Sequence, residues 1–88
     1  MTFRITSTGG EGGGTLLLVE GQLSLDGVAE LVRVCEGSAR PVTIDLSELR
    51  LPDRAVVAAL GGLEQAGATL VRASQYLELR LKSWRRRA

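Results

Sequence analysis

Apolar and polar positions alternate in some stretches of this chain and recur at helical spacing in others, and the two patterns succeed one another. The clearest stretch is 41–67. Val42, Ile44 and Leu46 alternate with Thr43 and Asp45, the period of a strand with one buried face. Pro52 and Asp53 then open a run in which Val56, Val57, Leu60, Leu63 and Ala66 recur at helical spacing. Gly67 stands where a left-handed helix cap is expected. Gly61 and Gly62, with Ala58, Ala59 and Ala66, leave a small-residue surface suited to close packing on a sheet.

Upstream, residues 2–6 read as a short strand with Phe3 and Ile5 on one face. Leu16 to Val19 is a continuous apolar run, expected of a central strand covered on both faces. Ser24 or Asp26 caps a following helix, in which Val28, Leu31, Val32 and Cys35 form one stripe and Gly37 ends it. Downstream, residues 68–73 form a further strand, and Ser74 caps a third helix with Leu77, Leu81 and Trp84 on one side. Residues 77–82 also alternate as an exposed strand would. Leu, Glu, Arg and Lys without β-branched neighbours favour the helix.

The order is strand, strand, helix, strand, helix, strand, helix. Two strand–helix–strand units imply parallel neighbours joined by right-handed crossovers, and the first strand closes an edge in the antiparallel sense. The expected fold is a small α/β sandwich: a mixed, mostly parallel four-stranded sheet with about three helices. The 88 residues suit a single domain, drawn at 1–84, with a basic C-terminal tail at 85–88.

Composition narrows the function classes. A hydrophobic content of 44% and a charged content of 24% are those of an ordinary globular domain. No apolar run approaches the ~20 residues of a membrane span, and no charged-then-apolar leader begins the chain. With the lone Cys35 read as a small buried thiol, these features point to a cytoplasmic protein. The net charge of +1 hides an asymmetry: five of the 11 basic residues lie in the last nine positions, leaving six bases against all 10 acids before them. Arg85, Arg86 and Arg87 beside Trp84 are expected to be solvated. Without a folded basic groove they would hold lipid or nucleic acid only weakly, and salt would weaken them further.

Catalytic parts are scarce. The chain has no His, hence no imidazole base, no imidazole metal ligand and no Ser-His-Asp triad. One Cys makes no thiolate zinc site, and Asp45, Glu48 and Asp53 are acids of ordinary loop density. The glycines at 9–14 lack the Gly-Lys-Ser/Thr of a phosphate loop and read as a flexible hairpin connection. No enzyme activity, metal or cofactor is expected.

Four stretches together resemble a STAS domain, the fold of bacterial anti-sigma factor antagonists. They are Leu17-Leu18-Val19-Glu20-Gly21-Gln22-Leu23, Ile44-Asp45-Leu46-Ser47, Asp53 to Leu60, and Gly67-Ala68-Thr69-Leu70-Val71. The resemblance implies a non-catalytic protein–protein interaction module in signalling regulation. Its partner-binding surface would comprise Gln22, Leu23, Ser24, Leu25, Ser47, Asp53, Arg54 and Ala55. Relatives acting as phospho-switches carry Asp-Ser-Ser-Gly at the start of the second helix. This sequence keeps Asp53 but has Arg54 and Ala55 in place of the serines and Val56 in place of the glycine. The surface is therefore expected to be non-phosphorylatable, and Arg54 sets a positive charge against the helix dipole. Asp53 also has a purely structural role as an N-cap.

The partner implied is an anti-sigma or kinase-like protein. The alternative is a cytoplasmic accessory subunit of a membrane transporter of the lipid ABC type, with the basic tail near the membrane. An exposed edge strand leaves a homodimer open. A small-ligand role would need a pocket that the sequence does not reveal.

Overall fold

The computed structural model describes residues 3–50 and 52–87. Strand β1 (Phe3–Gly9) turns through a short 3-10 segment (Glu11–Gly13) into β2 (Thr15–Gly21). Helix α1 (Leu25–Glu36), β3 (Val42–Leu49), α2 (Arg54–Gln65), β4 (Thr69–Val71) and α3 (Gln75–Arg87) follow. The four strands form one sheet in the order β1-β2-β3-β4, with β1 antiparallel to β2 and the remaining pairs parallel. The expected mixed sheet and three helices are all present. The glycine-rich stretch is a hairpin, since Gly9 pairs with Thr15 across it.

Consecutive parallel strands joined by right-handed crossovers put α1 and α2 on one face of the sheet. Helix α2 packs against both α1 and α3. A single core fills the space between the layers. Leu17, Val19, Ile44 and Leu46 contribute from the sheet, and Leu31, Val56, Leu60, Leu77 and Leu81 from the helices. This corrects the reading of β2 as covered on both faces. Leu17 and Val19 are buried, whereas Leu16 and Leu18 remain half-buried on the open face, alongside Thr43 and Asp45.

Helix boundaries follow local chemistry. Ser24 caps α1, its Oγ accepting the Gly27 N–H at 3.3 Å, so the choice between Ser24 and Asp26 falls to Ser24. Ser74 caps α3 by accepting the Leu77 N–H at 3.1 Å. Helix α2 ends at Gly67, where φ is 117°. The Ala68 N–H reaches the Leu63 carbonyl and the Gly67 N–H the Glu64 carbonyl, both at 3.0 Å. This paired closure needs a residue at ease with positive φ.

Three helical expectations are corrected. On α1 the core-facing set is Gly27, Val28, Leu31, Val34 and Cys35, and Val32 lies outside it. At 100° per residue Val34 sits closer to the centre of that face than Val32 does. On α2, Gly61 faces the Trp84 ring of α3 instead of the sheet, and Gly62 meets open space. Residues 77–82 are helical, as their composition favoured. That helix runs on through Arg87, so the basic tail drawn at 85–88 is, as far as Arg87, its last turn. Arg85 there makes a bidentate pair with Glu64 of α2, both bonds 2.9 Å.

Candidate functional site

The carboxyl edge of the parallel strands gathers the three loops that lead into helices. The loop after β2 and the loop after β3 are tied together, with the Arg50 N–H donating to the Gly21 carbonyl at 2.8 Å. All three helix N-termini open at this edge, capped by Ser24, Asp53 and Ser74. In open α/β sheets this edge is where loops carry recognition.

The sequence-predicted residues divide by exposure. Leu25, the first residue of α1, is 76% exposed, the most exposed of three large apolar side chains presented to solvent among the described residues, with Leu79 and Tyr76 on α3. Ser47, Asp53 and Arg54 are exposed, and Gln22 and Ala55 half-buried. Ser24 is exposed while its hydroxyl serves the cap. Leu23 is different. It turns inward to 5% exposure, with Cδ2 against Gly27, so its side chain is part of the core and not of the presented surface.

Asp53 takes the structural role open to it. Its Oδ1 accepts the Val56 N–H at 3.0 Å from an extended backbone, ahead of the first turn of α2. No acid occupies that first turn, and Arg54 projects from it into solvent. Neither Arg54 nor Ala55 offers a hydroxyl.

Asp45 orders the neighbouring strand end. The β2–β3 register slips between Leu18 and Glu20, where Leu18 faces Asp45 but Glu20 faces Glu48, so β3 carries an extra residue around Leu46 and Ser47. A bulge takes backbone groups out of the ladder, and here the Asp45 Oδ1 accepts the Ser47 N–H at 2.9 Å. That bond, with Arg72 adding to it, holds the Asp45 carboxyl below the usual carboxylate range despite some opposing desolvation.

Arg72 was absent from the residues chosen by sequence. It lies in the third loop of this edge at φ 59°, a left-handed conformation uncommon for a long side chain, and its Nη1 is 3.8 Å from the Asp45 Oδ2. The strand expected over residues 68–73 stops at Val71, so Arg72, expected within it, lies in the loop that leads to the Ser74 cap. Its reach to Asp45 depends on two strands meeting.

Among the described residues of this edge no nucleophile is paired with a base. Among the described residues no group of three or more His, Cys, Asp or Glu could hold a metal ion. None of the described helices is long and apolar enough to cross a membrane. A hollow of about 160 Å³ lies at the opposite, amino edge, lined by Cys35, Arg40, Val42, Leu63 and Gly67 among others. Burial, with Glu36 adding to it, raises the pKa of the Cys35 thiol, so that wall is chemically quiet.

No protein-family model matches the chain, and no curated protein matches it. Among solved structures, the fold is similar to the crystal structure of an antisigma-factor antagonist, a STAS domain from Rhodobacter sphaeroides. The match has a TM-score of 0.58 and 26% identity over 83% of this chain and 92% of that one. The chain has a STAS-like fold.

Proposed function

We propose that this domain is a non-catalytic regulatory module that binds a protein partner through the carboxyl edge of its sheet. The observation that carries the reading is Leu25. It stands 76% exposed at the edge where the end of β3, the loop after it and the first turn of α2 present Ser47, Asp53 and Arg54. An exposed apolar anchor among polar neighbours is the usual composition of a binding patch. The likeness to an antisigma-factor antagonist supports a signalling context.

Binding through this edge is constitutive with respect to phosphorylation at positions 54 and 55. A phosphoryl group at a helix N-terminus adds about 1.5 to 2 negative charges beside favourable N–H groups. Arg54 holds a fixed positive charge there instead, so the partner meets a surface of one charge state.

The test is affinity purification of the tagged protein from its own cell, followed by titration of the purified partner against the wild type, Leu25→Asp and Arg54→Glu. The reading expects an anti-sigma or kinase-like partner whose affinity falls about tenfold or more in each variant, with unchanged circular dichroism. Recovery of a permease and its ATPase would place the domain in a transporter instead. A partner that binds both variants as tightly as wild type would remove the carboxyl edge as the interface.

A further inference from the structure

Charge is graded across the helix layer. Helix α1 carries three acids (Asp26, Glu30, Glu36) and one base, Arg33, which is paired with Glu30. Helix α2 carries one of each, Arg54 and Glu64. Helix α3 carries five bases and the single acid Glu78. Because α2 packs between the other two, the acidic and basic helices lie at opposite ends of the layer. Asp26 and Glu36 at one end and Lys82, Arg86 and Arg87 at the other are exposed.

The sheet beneath has two unpaired edges, and they sit at these same two ends. Strand β1 closes the sheet on the α1 side, where Phe3 lies beside Gly27, and β4, which leads directly into α3, closes it on the other. An unpaired edge offers a row of backbone N–H and C=O groups to another strand. Three pairings between copies are available. Joining β1 to β1 brings two acidic helices together, and joining β4 to β4 brings two basic ones together. Only β4 against β1 sets α3 beside the α1 of the next copy, acid facing base. Since β1 runs opposite to β4 within the sheet, simple translation of one copy makes that junction antiparallel.

We infer that the domain associates with further copies of itself head to tail, through the α3–β4 end of one copy and the α1–β1 end of the next. Such a contact is heterologous, so it builds chains of copies, open or closed into a ring according to the rotation between neighbours, and not a two-fold dimer. Strand β4 offers only three residues, so the backbone contribution is small and the charges supply the selectivity. The carboxyl edge, with Leu25 and Arg54, is not one of the two joined ends, although Asp26 in the first turn of α1 stands at the corner that the two share, and the inference does not depend on what that edge binds.

The test is sedimentation velocity on the full chain from about 10 µM to about 1 mM, a range suited to weak association. Salt is varied from about 0.05 M to about 0.5 M, which shortens the screening length well below the size of the contact. The expected result is average mass rising with concentration at low salt without a plateau at two copies, and falling about tenfold in association constant at high salt. Two variants follow: Lys82→Glu with Arg86→Glu and Arg87→Glu, and Asp26→Lys with Glu36→Lys. Each alone is expected to be monomeric, and an equimolar mixture of the two to associate again, because each supplies the charge that the other now faces. All substitutions are at exposed sites, and circular dichroism checks the fold. A monomer throughout, a plateau at a dimer, variants that associate like the wild type, or a mixture that stays monomeric would each overturn the inference.

Discussion

The ring of Trp84 on α3 occupies the space in which residue 61 of α2 would carry a Cβ, and glycine at 61 lets the two helices close. A methyl group there must push back the ring. The helix-propensity gain of about 1 kcal/mol for Gly→Ala is opposed by an overpacking cost of about 1–3 kcal/mol. Gly61→Ala is therefore expected to lower the urea midpoint and to shift the emission of the chain's one tryptophan. Gly62→Ala, one residue along and facing open space, is the control: it is expected to stabilise by up to about 1 kcal/mol. If both substitutions stabilise, the ring is not held against residue 61.

Asp53 and Arg54 separate capping from charge. Asp53→Ala removes the acceptor for the Val56 N–H and is expected to cost about 1 kcal/mol in chemical denaturation. Arg54→Glu places an acid where the helix dipole favours one and is expected to stabilise by about 0.3–1 kcal/mol. Loss of partner affinity in a variant that folds better than the wild type would belong to the interface and not to the fold.

Asp45 sets a pH dependence with a definite sign. Its carboxyl is depressed in the folded state from an ordinary value of 3.8, chiefly by the Ser47 N–H. The stability it contributes is therefore fully present above about pH 4 and is lost as pH falls through the lower folded value. Urea midpoints measured from pH 6 down to pH 2 are expected to fall less steeply below pH 4 for Asp45→Asn than for the wild type. Parallel curves would mean that the bond to the bulge does not discriminate between the two protonation states.

Cys35 is 7% exposed, and its raised pKa leaves little thiolate at neutral pH. Alkylation by iodoacetamide, followed by intact-mass measurement, is expected to run about tenfold or more slower in native protein than in urea-unfolded protein. Equal rates would show the thiol to be open to solvent through the amino-edge hollow.

Much of this fold can be read along the chain because its signals are local. The alternation at residues 42–46, the caps at Ser24, Asp53 and Ser74, and the turn at Gly67 each involve residues within one or two turns of each other. The absence of a hydroxyl at positions 54 and 55 is likewise plain in the sequence, and so are the two loops of the carboxyl edge.

What escaped the sequence depends on elements meeting. Leu16 and Leu18 match a doubly covered strand in composition, but strand order and crossover hand together put every helix on the other face. The same placement sends Leu23 into the core while Leu25, two residues on, stays in solvent. Val34 and not Val32 joins the core, because the buried face of α1 is centred nearer to Val34 than the stripe read from the sequence. Gly61 answers to a ring 23 residues away, and Arg85 to Glu64. Arg72 meets Asp45 only because β3 and β4 are neighbours. Periodicity records which side chains avoid water. It carries no record of which other element displaces that water, since this is settled by long-range packing in three dimensions.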